Sequence, residues 1–223
     1  MFVGVSLLLI PSTSLLLNIV VSAIAFFNFA RAGYFAPKII LPFLTSVPFA
    51  FLAGTLVLPV FILAMIFVVA LLAASVSLLL LGSKISAHRA RMESSRISSA
   101  KVIAISAPVG ATLGTVAGVV GIGGGIWLSP LLILTGLANS KQAGAAAALF
   151  ILLNSVSGFL ANSIAKPVDY TLLLPLAFCV AAGGLIGSRY GAFKLNLDRV
   201  RIIVGLIVAV AALLVFFRFF VAK

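Results

Sequence analysis

Long apolar runs separated by short polar connections make up most of the chain. A helix that crosses a bilayer needs about 20 mostly apolar residues. By that criterion the pattern predicts spans at about 12–30, 39–57, 61–81, 102–120, 143–163, 171–189 and 200–220. A shorter apolar piece, 126–136, follows a run of glycines. The pattern therefore predicts an all-α polytopic membrane protein with about seven to eight transmembrane segments.

Composition excludes several other classes of protein. Of the 223 residues 64% are hydrophobic and 8% are charged, whereas a soluble domain is about half apolar and one quarter charged. A single Cys and a single His exclude a disulfide framework and a protein-only metal cluster, so we expect no metal and no cofactor. The only acids, Glu93, Asp169 and Asp198, lie outside the predicted spans. Because no span offers a base for a nucleophile, we do not expect an enzyme.

The charge is strongly positive, with 15 Lys and Arg against 3 Asp and Glu. In a membrane protein such an excess indicates orientation rather than nucleic-acid binding. The polar stretch 82–101 carries five of these cations, so the positive-inside rule places it in the cytoplasm of a multi-pass cell-membrane protein. If 122–138 counts as a crossing, all cations except Lys166, Arg218 and Lys223 face inward, which is 12 of the 15. Anionic lipid headgroups are a second expected partner of the 82–101 loop.

Two parts of the chain match at a constant offset of 133 residues. The informative pairs are Pro42 with Pro175 and Gly54 with Gly187, and upstream Asn18 is matched by Asn154. In the predicted topology matched helices run in opposite directions, which is typical of the inverted repeats of transporters. We expect a first repeat at 1–81, the basic loop at 82–101 and a second repeat at 102–223. The first repeat has no counterpart of 102–141, so the chain is expected to be short at its N-terminus.

The segment 118–136, GVVGIGGGIWLSPLLILTG, is the main candidate for binding chemistry. A continuous helix through Gly121, Gly123, Gly124 and Gly125 would cost about 1 kcal/mol per glycine relative to alanine. A break there followed by a short helix exposes backbone N–H groups at a helix N-terminus, which is an anion-binding arrangement. Trp127, Ser129 and Pro130 are expected on the first turn of that helix. The alternative is that these glycines only permit close packing of helices.

Polar residues within apolar spans are the other candidate ligands. Asn154, Ser155 and Ser157 share one predicted helix, and Asn18 is their counterpart in the first repeat. We expect the Asn and Ser donors to complete the hydrogen bonds of an oxyanion, and Trp127 to shape or gate the pocket. The alternative for each is an interhelical hydrogen bond. We interpret Asn162 as an interfacial residue and Cys179 as a small buried residue.

Two stretches, GIGGGIWLSPLLILTG and the following KQAGAAAALFILLNS, resemble the sulfite exporter (TauE/SafE) family of membrane transporters. The stretch SLLLIPSTSLLLNIVVSAIAFFNFARAGYF is similar to the region that follows the glycine motif in the first repeat of that family. The resemblance covers nearly the whole chain. It implies two repeats and the transport of sulfite, sulfonates or related sulfur oxyanions. One departure is clear, since family members carry the glycine motif in both halves and this chain has it only in the second.

These observations predict a transporter of small anions. Export is favoured over uptake, because an inside-negative potential drives an anion outward by about 2.3 kcal/mol per charge per 100 mV. The alternative is a non-transporting subunit or fragment of such a transporter that needs a missing N-terminal part or a partner. The sequence leaves the oligomeric state open.

Overall fold

A computed structural model describes residues 10–56, 59, 61–62, 64–66, 68–73, 75–76, 79, 99–121, 123–135, 137–165, 170–193 and 197–217. The secondary structure of these residues is helical, without strands, as predicted. The helices are α1 (Ile10–Arg31), α2 (Pro37–Ile40), a 3-10 turn (Leu41–Phe43), α3 (Ser46–Gly54), α4 (Ser99–Val120), α5 (Gly125–Leu134), α6 (Ser140–Ala165), α7 (Tyr170–Phe193) and α8 (Leu197–Phe216). Most of the 82–101 loop lies outside the described residues, and the 61–79 segment is described in part as helix.

Three described helices are long and apolar enough to cross a membrane, at Ser12–Arg31, Ser140–Ile164 and Leu173–Phe193. The bent pair Pro37–Phe43 and Ser46–Gly54 becomes a fourth if it is counted as one span. The apolar parts of α4 and α8 are shorter, at Ser106–Val120 and Gly205–Phe216. The structure therefore agrees with a membrane protein, while the total of seven to eight spans and the inverted repeat stay predictions.

The predicted span 39–57 is bent by 43° between the 3-10 turn and α3. Pro42 lies inside the 3-10 turn, and Thr45 Oγ1 beside the bend donates to the Ala107 carbonyl of α4 at 3.1 Å. The matching stretch of the second half does not bend in this way, since α7 runs without interruption past Pro175. Two stretches that match in sequence thus differ in shape. Because of the bend, α3 packs on α4 and α6 in a different direction from that of the preceding helical turn.

α4 packs against this bent pair through a stripe of glycines spaced four residues apart. A Cβ atom on Gly114 would lie 2.2 Å from the Ser46 carbonyl oxygen, and one on Gly118 would lie 2.2 Å from that of Ala50. A Cβ on Gly110 would approach Thr45 Oγ1 to 2.8 Å. These distances are too short for any side chain, so the backbones of α4 and α3 touch directly, as in small-residue interfaces of membrane helices.

α6 is the central helix, and α7 is peripheral. The apolar window of α6 is 56% buried, whereas that of α7 is 6% buried. α1 lies antiparallel to α6, since its Leu15 approaches Gly158 and its Phe29 approaches Gly144. α7 packs on the outer side of α1, where Asn28 Nδ2 donates to Ser188 Oγ at 2.7 Å.

α5 begins beside α4 at the break and packs mainly against α6. At the break, Gly124 lies beside Leu113 and Ala117 of α4. One turn earlier in α4, Val109 packs against the core cluster that holds Leu128 and Leu132 of α5. This is the order expected if α5 runs back toward the start of α4. The passage of 122–138 across the bilayer stays a prediction.

Several cations gather at the end of the bundle where α1 ends and α6 begins. Tyr34 lies just after α1, and its hydroxyl accepts a hydrogen bond of 3.0 Å from Lys141 Nζ at the start of α6. Arg31 and Arg189 line one groove near the C-terminal ends of α1 and α7. The predicted charge asymmetry and the assignment of this end to the cytoplasm both stay predictions.

Candidate functional site

The chain breaks between α4 and α5, where the glycine run predicts it. Gly121, Gly123 and Gly124 have φ angles of +80°, +76° and +71°. This left-handed region is open to glycine and costly for residues with a Cβ atom. The three glycines therefore allow the chain to leave α4 and start α5 in a new direction.

α1 satisfies the carbonyl group that the break leaves at the end of α4. Asn18 Nδ2 donates to the Gly121 carbonyl at 3.0 Å, and Ser14 Oγ donates to the same oxygen at 3.2 Å. Ser22 Oγ donates to the backbone carbonyl of Asn18 one turn further along α1. Asn18 is thus at the predicted site, where its amide holds the backbone of the break.

The N-terminus of α5 lies on the other side of the break. Its N-cap residue is Gly124, which has no side chain to accept a hydrogen bond from the first N–H groups. Those groups have no acceptor within the helix, and they carry the positive end of the helix dipole. The sequence therefore leaves this helix end uncapped, as an anion site requires.

Ser155 of α6 lies beside Gly123 of the break. Its Oγ is fully buried and has no hydrogen-bond partner among the described residues. A Cβ atom built on Gly123 would lie 3.2 Å from this oxygen and 3.5 Å from Asn18 Nδ2. A buried hydroxyl without a partner costs free energy, so its position beside an uncapped helix end needs an explanation.

The alternative interpretation of the glycines, close packing, also applies to part of the run. A Cβ on Gly125 would lie 2.4 Å from Ile151 Cγ1, and one on Gly124 would lie 3.0 Å from Phe150. Both contacts press α5 against apolar side chains of α6. Gly123 differs, because it approaches Ser155 and Asn18 as well as Ile151.

Asn154 and Ser157 point toward α3, contrary to the expectation that they face the glycine segment. Asn154 Nδ2 donates to Ser46 Oγ and to the Phe150 carbonyl, both at 2.8 Å, and Ser157 Oγ donates to the Val47 carbonyl at 2.7 Å. Residues three apart share a helix face, whereas adjacent residues are about 100° apart. For that reason α6 turns Ser155 toward the break and the other two toward the bent pair.

The predicted residues of α5 also occupy different positions from those expected. Trp127 lines an apolar groove of about 530 Å³ with residues of α4 and the 61–79 segment, among them Leu113, Val116 and Val69. α5 begins at Gly125, so Ser129 and Pro130 lie in its second turn and not in the first. The expected role of Trp127 at the anion pocket therefore has no contact to support it.

Comparison with known proteins gives the family. Residues 1–215 match the family described as sulfite exporter TauE/SafE. The chain belongs to this family. The protein named "Probable membrane transporter protein y4hK" of Sinorhizobium fredii (strain NBRC 101917 / NGR234) is 28% identical over 215 residues, which cover 94% of this chain and 83% of that protein. No solved structure matches the chain. This TauE/SafE chain is accordingly a membrane transporter.

Two residues of the TauE/SafE chain differ from their interpretation in the sequence. Asn162 is fully buried, and its Nδ2 donates to the Gly118 carbonyl of α4 at 3.1 Å and to the Gly158 carbonyl at 2.8 Å, an interhelical contact that its interpretation as an interfacial residue did not predict. The signal in the sequence for this burial was the spacing of eight residues between Asn154 and Asn162, because two turns of α6 place both amides on the same helix face. Cys179 is exposed and not buried, because α7 is peripheral.

The donors around the break of this TauE/SafE protein are neutral. They comprise backbone N–H groups, the Ser155 hydroxyl and the amide of Asn18. Among the described residues no group of three or more His, Cys, Asp or Glu could hold a metal ion. The described helices contain one acidic residue, Asp198, in the first turn of α8. The arrangement can therefore bind an anion through dipoles and hydrogen bonds, without a fixed positive charge.

Proposed function

We propose that this transporter binds a small sulfur oxyanion, with sulfite as the leading candidate, at the N-terminus of α5 and exports it. The family name supports the substrate class. The uncapped helix end at Gly124 supports the position of the site. In discontinuous membrane helices, half-helix N-termini face anionic substrate groups near the middle of the bilayer.

The buried Ser155 hydroxyl is the observation that carries the proposal. It lies across from Gly123 and lacks a partner within the described part of the chain. An oxyanion between Ser155 and the first turn of α5 would accept hydrogen bonds from both. A bound anion thereby satisfies two sets of orphan donors that no described side chain satisfies.

Neutral donors also suit release of the anion. A fixed positive charge in a low dielectric holds an anion far more strongly than dipoles do. The inside-negative potential then favours outward movement by about 2.3 kcal/mol per charge per 100 mV. At the end of the bundle that we assign to the cytoplasm, the Lys141 cation would raise the local anion concentration. We propose that export needs no titrating carboxylate, because all three acids lie outside the predicted spans.

Sulfite efflux from proteoliposomes tests the proposed function. Gly124→Leu places a side chain in a left-handed position with Phe150 3.0 Å away, so it should abolish efflux while the protein stays inserted. Gly183→Leu is the matched control, because nothing lies within 4 Å of its Cβ position on α7, and efflux should persist. Unchanged efflux in Gly124→Leu would refute the site. Efflux that requires a proton gradient with the membrane potential clamped at zero would refute uncoupled export.

A further inference from the structure

A basic groove lies on the outer surface between α1 and α7, apart from the glycine break. It encloses about 560 Å³. Phe27, Leu185 and Phe193 form much of its apolar lining, while Asn28, Arg31 and Arg189 supply polar groups. The groove therefore combines an apolar wall with two guanidinium groups.

Two contacts join the helices that form the groove. Asn28 Nδ2 donates to Ser188 Oγ at 2.7 Å across the helix pair. A Cβ on Gly184 would lie 2.7 Å from Val21 Cγ2, so the backbones approach closely just beneath. These contacts hold together the helix ends that carry Arg31 and Arg189.

The two arginines are exposed and have no hydrogen bond or ion pair to other described residues. A guanidinium group presents five N–H donors in a planar fork that matches phosphate oxygens. Arg31 belongs to the last turn of α1, at the same end of the bundle as Tyr34 and Lys141. In a membrane protein, basic side chains at helix ends reach the layer of lipid headgroups.

Apolar surface continues on the other side of α7. Leu185, Arg189 and Phe193 also line a second groove of about 610 Å³ with Ile186 and Tyr190. Arg189 therefore stands on a ridge between two largely apolar depressions. A ligand with two hydrocarbon chains and one anionic group matches this layout, whereas a free oxyanion would leave the apolar walls uncovered.

We propose that this surface binds an anionic phospholipid, with its phosphate between Arg31 and Arg189 and acyl chains against the apolar grooves beside α7. The site is separate from the glycine break and does not depend on what that break binds. Because α1 also holds the Gly121 carbonyl through Asn18, the lipid would contact a helix that supports the break.

Native mass spectrometry of the full chain, titrated with phosphatidylglycerol or phosphatidylcholine, tests the proposal. Arg31→Gln and Arg189→Gln should each weaken phosphatidylglycerol binding about fivefold, and the double variant about 25-fold. Lys38→Gln is the control, since Lys38 is an exposed cation of α2 outside the groove lining, and it should leave binding unchanged. All variants change exposed side chains, and their unfolding temperatures should match the wild type.

Three results would overturn the proposal. Undiminished phosphatidylglycerol binding by the double variant would place the lipid elsewhere, including on the 82–101 loop. Equal affinity for phosphatidylcholine would show that the apolar wall alone selects the ligand. Displacement of the lipid by an equal concentration of inorganic phosphate would identify a small-anion site.

Discussion

Replacement of Ser155 by alanine separates binding from stability at the proposed anion site. The hydroxyl is fully buried and unpartnered among the described residues, and such a group costs about 1–3 kcal/mol. Ser155→Ala should therefore stabilise the ligand-free protein, and each kcal/mol raises the unfolding temperature by roughly 2–4 °C. The same variant loses a hydrogen bond to a charged ligand, about 1.5–3 kcal/mol, so sulfite should bind about 10- to 150-fold more weakly.

Thermal unfolding of the purified protein over a sulfite titration measures both effects at once. Sulfite should raise the unfolding temperature of the wild type with the logarithm of its concentration above the dissociation constant, and the Ser155→Ala curve should start higher and respond only at higher concentration. Ser157→Ala is the matched control, because it loses a bond of 2.7 Å to the Val47 carbonyl. It should lower stability by about 1 kcal/mol and leave sulfite affinity unchanged. If Ser155→Ala binds sulfite as tightly as the wild type does, the reasoning is refuted.

Three further predictions concern the framework of the site. Gly114→Ala should destabilise the protein by about 1–3 kcal/mol in thermal unfolding, because the added Cβ meets the Ser46 backbone. Gly183→Ala should not destabilise it, since nothing lies within 4 Å of that Cβ position, and equal stability of the two variants would contradict this reasoning. Asn18→Ala should weaken both stability, by about 1 kcal/mol, and sulfite efflux, because the Gly121 carbonyl loses its 3.0 Å donor; wild-type efflux would count against the role of α1. Lys38→Cys, in a chain whose native cysteine is removed, should react with an impermeant maleimide only from the cytoplasmic side, and labelling from outside would reverse the orientation.

The helices and the break were predictable because their signals are local. Apolar length predicts α1, α6 and α7, and a run of glycines predicts a left-handed exit from α4. The residues at which these helices begin and end have weaker local signals in the sequence. α5 begins at Gly125, which moves Ser129 and Pro130 beyond the first turn.

The directions of side chains depend on neighbours that the sequence does not name. Asn154, Ser155 and Ser157 look equivalent in the sequence, but only one of them faces the break, because α6 is packed between α5 and α3. The direction of Trp127 also depends on its neighbours, since apolar residues such as Met65 and Val69 line the groove that its side chain faces. The role of each polar residue in a span is therefore decided by which helix lies opposite.

The stripe Gly110, Gly114 and Gly118 is the clearest signal that sequence reasoning overlooked. Its four-residue spacing is the known pattern for close helix contact, and the structure places it against the backbone of the bent pair. The bend itself was harder to predict. Pro42 and Pro175 match in sequence, but the first lies in a 3-10 turn and the second inside a continuous helix.

The position of a bound oxyanion tests the central claim most directly. Selenite has the shape and charge of sulfite, and selenium gives an anomalous X-ray signal that locates it in crystals of the protein. The account predicts a peak within hydrogen-bonding distance of Ser155 Oγ and the first N–H groups of α5, and its loss in Ser155→Ala. A peak confined to other positions, such as the groove of Arg31 and Arg189, would contradict it.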